Sequence, residues 1–411
     1  MTQQGPSLTS ATVPVTGELS LLVNGVSFTR FLEYEYTEDY LSPSDTWEFT
    51  IAEKELSTED AAALQPGSTV QLVLNGSVQS TGILDEPVSD VDRSSGTVVR
   101  VAGRDWFSVA VDAQVDPQLR FRPSMTVVDL LNTLFGPLGV TVLAEDNILN
   151  QNVITGSPRG TPSTKKGKPL KSFLLHQEKP YPNEGTYHFA SRICQRFGVW
   201  IRPAGTPGTL VVAKPDFEQQ PRYGLQHVYS AGSTGNNVER GHFARSRKEQ
   251  PSIIYASGFG AGGDFAKSSL RSGIVNPVVN ADNSAVINAY PSVRLVTIPA
   301  VTAAFSPFVE GNPRPAFLYD SESHTQEQLD NYVLRELALR MRKALSARYE
   351  IMGHMLGGSN ICVDTIVNVN DQRKTVQWQG PLWVLGRKFS KSAKDGTRTV
   401  MDLILPGALQ F

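Results

Sequence analysis

Apolar and polar residues alternate along much of the first hundred positions. Leu19, Leu21 and Val23 alternate up to Asn24-Gly25, and Val26 and Phe28 resume beyond it. Asn-Gly between alternating runs predicts a two-residue hairpin, because both turn residues must take positive φ. The grammar returns at Val70, Leu72 and Leu74, followed by Asn75-Gly76. Trp47, Phe49 and Ile51 alternate as a strand with one buried face, and a further strand covers Thr97 to Ala102 beyond the polar turn Asp92–Gly96. Short strands at this spacing predict a small barrel or sandwich.

After Pro117 the period changes. Val127, Leu130, Leu131 and Leu134 follow helical spacing, with Thr126 as candidate N-cap and Gly136-Pro137 as the stop. Gly156 to Lys171 is rich in Pro, Gly, Ser, Thr and Lys and predicts an exposed loop. Phe189, Ile193 and Phe197 share one face of a second helix closed by Gly198, ahead of the strand pair VWIRP and TLVVA turned through Ala204–Gly208. Residues 116–215 therefore predict an α+β module. Residues 216–324 mix polar loops with short strands such as Ile253–Ser257 and Val293–Pro299.

Thr325 to Ile351 predicts the longest helix. Thr325 and Gln328 fit a capping box, and Leu329, Val333, Leu337, Met341 and Ala344 form an apolar stripe. Glu327 and Asp330 lie early and Arg342, Lys343 and Arg348 late, complementing the helix dipole. After Gly357-Gly358 the chain reads as β to its end. There WVLGRKFSKSAKDGTRTVMDLILPG repeats the strand–turn–strand plan of TGILDEPVSDVDRSSGTVVRVAG, with Met401, Leu403 and Leu405 alternating. The expected fold class is mainly β with an α+β insert.

Composition narrows the function. The formal net charge of -2 argues against a dedicated nucleic-acid binder. The 34 glycines and 26 prolines suit many turns between short strands. Cys194 and Cys362 lie in apolar helical and strand-like patterns without CxxC spacing, so both read as small buried hydrophobes, with a disulfide between them as the less favoured alternative. The opening MTQQGPSLTS has no basic region followed by an apolar run, and no stretch approaches the ~20 apolar residues of a bilayer span. No signal peptide and no membrane anchor are expected, and folding in a cytoplasm is.

Candidate chemistry is sparse. Gly258, Gly260 and Gly263 satisfy GxGxxG after a strand-like IIYAS, but the polar DFAKSSLRSGIVNP follows where a dinucleotide fold needs an amphipathic helix. The histidines His176, His188, His227, His242, His324 and His354 form no HExxH, and GxSxG is missing. Lys165, Lys166, Lys168 and Lys171 cluster without interleaved aromatics, which suits a solvated loop better than a stacking site. No catalytic, cofactor-binding or metal-ligating residue is therefore nominated. The one charged pair with a choice to make is Arg104–Asp105 in VAGRDWFSVAVDA, a small site or the place where a strand stops. In the structural reading Gly103 lets the chain turn, Asp105 bonds nearby N–H groups, and Trp106, Val109 and Val111 anchor the exit.

Taken in order, four stretches resemble the phage tail baseplate hub proteins of the late control gene D family, relatives of the N-terminal part of VgrG spikes. They are PGSTVQLVLNGSVQSTGILDEP, VRVAGRDWFSVAVDA, GTYHFASRICQRFGVWIRPAGTPGTLVVAKP and the segment from GGSNICVD to LILP. The resemblance implies two small tube-like β-barrel domains per chain, at 1–115 and 325–411, the second including the long helix and strands from about 250–300. It implies a homotrimer that forms a pseudo-hexameric ring between a six-fold tail tube and a three-fold central spike. Tube or tube-initiator, spike and other baseplate proteins are the implied partners, in a virion assembled in the host cytoplasm. The genome and tape measure would pass an axial channel without specific binding. No cofactor is implied. The alternatives from other classes are a tail-associated cell-wall hydrolase and a carbohydrate- or nucleic-acid-binding module.

Overall fold

The computed structural model describes residues 17–92, 96–119, 127–144, 180–195, 199–204, 207–229, 235–258, 270–279, 284–290, 292–295, 314–320, 323 and 326–409. Thr126, the Lys165–Lys171 cluster, His176, Phe197, Gly198, Gly260, Gly263, His324, Thr325 and residues 296–299 lie outside the described residues.

The first unit holds β1 (Leu19–Val23), β2 (Val26–Phe28), β3 (Glu33–Asp39), β4 (Thr46–Ala52), α1 (Thr58–Ala63), β5 (Thr69–Leu74), β6 (Ser77–Asp92) and β7 (Gly96–Asp105). Both Asn-Gly pairs turn as expected, with Asn24 and Asn75 at φ 48 and 53. The alternating positions point inward: Leu19, Leu21, Val23, Trp47, Phe49, Ile51, Val70, Leu72 and Leu74 are all buried in one core.

From α2 (Ser108–Asp112) the chain enters the α+β module. Helices α3 (Val127–Phe135) and α4 (Thr186–Gln195) cover a three-stranded sheet of β8 (Thr141–Ala144), β9 (Trp200–Pro203) and β10 (Thr209–Ala213), ordered β8-β10-β9. Leu130, Leu131, Phe189, Ile193 and Cys194 close its separate core. The next strands are β11 (Tyr223–His227) and β12 (Arg240–Arg245). A four-stranded sheet follows, of β13 (Ile253–Gly258), β14 (Leu270–Val275), β15 (Val293–Leu295) and β16 (Ala316–Asp320), with α5 (Ser284–Ala289) between β14 and β15.

The long helix α6 (Gln326–Ala344) packs on β13 and β14. Its stripe Leu329, Val333, Leu337, Met341 and Ala344 is buried as expected. It ends earlier than the spacing predicts. β17 (Leu345–Met352) starts directly after it, because Leu345, Ala347, Tyr349 and Ile351 bury every second position, a period of two that a helix cannot present to one face. The chain closes with β18 (Met355–Leu356), β19 (Ser359–Asn360), β20 (Ile366–Asp371), β21 (Trp378–Ser392) and β22 (Gly396–Ile404). Cys362 lies in the connection between β19 and β20, not in a strand.

The fold is mainly β, but among the described residues the two expected barrels are not closed. The strands of both units join in one open 13-stranded sheet, because β3 pairs with β21 of the other unit instead of closing its own. Their internal order is the same. The first runs β3-β4-β7-β6-β5-β1 and the second β12-β17-β22-β21-β20-β11. The registers coincide too. In β6–β7, Leu84 faces Gly103, a bulge follows, Glu86 faces Ala102 and Asp92 faces Gly96. In β21–β22, Val384 faces Leu403, a bulge follows, Gly386 faces Asp402 and Ser392 faces Gly396. Trp47 faces Gly103 and Ala52 faces Val98, as Ala347 faces Leu403 and Met352 faces Arg398. The last strand differs: β1 runs antiparallel to β5, whereas β11 runs parallel to β20. A strand–turn–strand echo in the sequence is thus a duplicated unit in the fold.

Candidate functional site

Arg104 and Asp105 end β7 where the chain leaves the first unit. Arg104 bonds Asp85 at 2.7 Å and Asp112 at 2.8 Å, tying the bulge of β6 to α2. Asp105 is buried, accepts from the Ser44 hydroxyl at 2.6 Å and from the Phe107 N–H at 3.1 Å, and is pushed up to about 6, mainly by burial. The pair is a joint between folding units. Two details correct the expected anchoring. Gly103 does not turn the chain: a Cβ there would lie 2.2 Å from the Trp47 ring and 2.3 Å from the Ile83 carbonyl, so the glycine makes room in a flat strand. The exit is an α-helix, so Phe107 and Ala110 are the buried anchors, Trp106 and Val111 pack at the margin, and Val109 is 43% exposed.

The seam between the two tube-like units is the antiparallel pair β3–β21, with Gly386 facing Asp39 and Lys391 facing Tyr34. Its charges are complementary. Arg387 bonds Glu38 at 2.5 Å, and Lys388 bonds Glu35 at 2.7 Å. Arg387 is buried, also donates to the Ile361 carbonyl and to Gln79, and lies over the Phe389 ring at 4.7 Å. Burial opposes its charge and is the largest single influence, but Glu38 together with Tyr36, Cys362 and Asp45 outweighs it, and the guanidinium stays protonated. Below the seam His354 bonds the Tyr34 hydroxyl at 2.7 Å and the Thr399 hydroxyl at 2.9 Å, and burial pushes its pKa down to about 4. Sequence reasoning nominated none of β3, Arg387 or His354; the only signal was the alternation of Tyr34 and Tyr36 among acids.

A cavity of about 180 Å³ opens where both units meet the α+β module, lined among others by Asp39, Asp45, Asp105, Asp364 and Arg202. Burial, then the charges of Glu38 and Asp105, hold Asp45 well above the usual carboxylate range, and burial pushes Asp364 up to about 6. Each carboxylate has a donor: the Tyr36 hydroxyl on Asp45 at 2.9 Å, the Trp383 indole on Asp364 at 3.0 Å, the Leu41 N–H on Asp39 at 2.8 Å.

The remaining candidates are scattered. Gly258 ends β13, and the next described element is the antiparallel strand β14, with Leu270 opposite Gly258; the rest of the glycine motif lies outside the described residues. His188, His227, His242 and His354 sit on separate elements, and among the described residues no group of His, Cys, Asp or Glu is placed to hold a metal ion. Cys194 and Cys362 are both free thiols.

Comparison with known proteins gives this geometry a context. Residues 18–105 match the family model described as Mu phage baseplate assembly protein GpP-like, N-terminal. A tail protein from Neisseria meningitidis MC58 superimposes with a TM-score of 0.67 at 20% identity, over 95% of this chain and 97% of that one. The fold is tail-protein-like. The 43 kDa tail protein of prophage MuSo2 from Shewanella oneidensis gives 0.65 at 17% identity, over 96% and 99% of the two chains. A chain of the Francisella PdpA–VgrG complex gives 0.50 at 7% identity, over 95% of this chain and 58% of that one. A search of curated proteins returns no match. The resemblance to baseplate hub proteins carried by the sequence thus agrees with the family model for the first unit and with the fold of the whole chain.

Proposed function

We propose that the chain is the structural hub of a phage or phage-like tail baseplate, a homotrimer adapting a six-fold tail tube to a three-fold central spike around an axial channel. The observation that carries this reading is the duplication: two units with one strand order, one bulge and one hairpin register in a single chain. Three such chains closed about an axis offer six similar units on one face, while the parts present once per chain, the α+β module and the β13–β16 sheet, keep three-fold symmetry. Obligate interfaces of this kind bury more than about 2,000 Å². Genome and tape measure would pass the channel without specific binding. Tube, spike and other baseplate proteins are the partners, and the finished particle's tail is the location.

Among the described residues, the acidic cavity is the one place where a hydrolase reading finds raised carboxylates. Because each bonds a structural donor, we read it as a polar joint and the chain as non-enzymatic. Native mass spectrometry tests the hub: three chain masses are expected. A chain that stays monomeric at high concentration and joins neither tube nor spike components on co-expression would overturn it.

A further inference from the structure

Within the chain, β3 joins the two units by pairing with β4 on one edge and β21 on the other. Their counterparts are left incomplete. β12, the counterpart of β3, pairs only with β17. The outer half of β6, the counterpart of β21 from Gly386 to Ser392, pairs only with β7. Among the described residues both are edges. The exposure agrees: Phe389 and Arg387 are buried beneath β3, but Ser89 in the place of Phe389 is exposed, and so are Val88 at 36% and Val91 at 80%. An edge strand with outward valines is a template for another chain.

We propose that β12 of one copy pairs antiparallel with residues 86–91 of β6 in the next, repeating between chains the β3–β21 seam within one. The register follows from the duplication. Thr37 faces Thr46 in the first unit, and Ala244 faces Ser346 at the matching place in the second. Carrying the β3–β21 pairing across sets Glu86 opposite Ser246, Val88 opposite Ala244, Asp90 opposite His242 and Val91 opposite Gly241. The occupant is a second copy of this chain, and charge says why. The outer half of β6 and its bulge carry Asp85, Glu86, Asp90 and Asp92, of which Asp85 and Asp90 also bond Arg104 and Arg100, while β12 and the residues after it carry Arg240, Arg245, Arg247 and Lys248 against the single acid Glu249. The internal seam has the opposite polarity, acidic β3 on basic β21. β12 is therefore repelled by a basic β21 and β3 by an acidic β6, so the seams match in shape without being interchangeable, and units must alternate around a ring. Pro87 stands where Arg387 does and has no N–H to give, so this seam is weaker by one ladder bond.

The inference rests on the hub reading for the number of copies, and disulfide trapping separates the two. The Tyr40 N–H bonds the Leu385 carbonyl, which makes Lys388 and Thr37 a non-hydrogen-bonded pair, the closer kind in an antiparallel ladder. Val88→Cys with Ala244→Cys is the equivalent between chains. Thr37→Cys with Lys388→Cys, within one chain, is the positive control. On mild oxidation of the full chain, the Val88→Cys/Ala244→Cys variant is expected to give two- and three-chain species on denaturing gels and nothing larger. The Val91→Cys/Ala244→Cys variant, whose two sites lie on opposite faces, does not bridge. A three-chain native mass with the control oxidised but no bridge between positions 88 and 244 overturns the seam and leaves the hub standing. Bridged species beyond three chains keep the seam and overturn the closed ring. A monomer that never bridges overturns both.

Discussion

Asp105 offers a two-variant test of the joint. Its Oδ1 accepts from the Ser44 hydroxyl and the Phe107 N–H, while Oδ2 is buried with no hydrogen bond among the described residues. Its pKa rises from 3.8 to about 6 on folding, chiefly by burial. The folded state therefore holds this proton more tightly than the unfolded chain, and stability falls as pH rises from about 4 through 6. Two pKa units correspond to about 3 kcal/mol. Asp105→Asn keeps the acceptor and removes the charge, whereas Asp105→Ala removes both hydrogen bonds and opens a small void. At pH 7.5 the alanine variant should be about 2–4 kcal/mol less stable than the asparagine variant and should yield less trimer. Urea unfolding at pH 4.5, 6 and 7.5 reads both effects. Between pH 4.5 and 7.5 the gap between parent and Asp105→Asn should move by about 2 kcal/mol in favour of Asn. A gap that does not change with pH, or equal stability of the two variants, would refute the assigned role.

His354 gives the opposite slope. Its pKa of about 4 against an unfolded 6.5 means its neutral form stabilises the fold above pH 6.5, and about 3 kcal/mol is lost as pH falls to 4. An NMR titration should find the ring neutral at pH 5.5, and a midpoint near 6.5 would contradict its placement. Gly103→Ala should cost about 1–3 kcal/mol or more by overpacking against Trp47 and the Ile83 carbonyl, and Trp47→Leu in the same chain should recover only the Trp47 share in thermal melts. On peptidoglycan gels the parent chain and Asp364→Asn should both leave no clearing. Lysis by the parent that the variant loses would replace the structural reading with an enzymatic one.

Elements written in strong local chemistry were legible in the sequence: the two Asn-Gly hairpins, the helices led by Leu130 and Phe189, and the stripe of α6. What joins the units was not. β3 reads EYEYTED and β12 reads RGHFAR, so their charges concealed strands whose outer faces stay half solvated. The end of α6 was lost because Leu345 and Ile351 extend its apolar pattern by chance, while burial on alternate residues decides for β17. The duplication showed as a weak echo because facing residues exchange size between units, Trp47 over Gly103 in one and Ala347 beside Leu403 in the other. Strand order and bulge position persist through such exchanges because backbone pairing does not depend on which partner supplies the volume.

In the proposed hub, two like units per chain build a ring of six. Class averages of the purified assembly by electron microscopy, viewed down its axis, test that most directly. A closed ring of three chains showing six similar lobes with three-fold modulation is expected, and a two-fold particle or a solitary chain would contradict it.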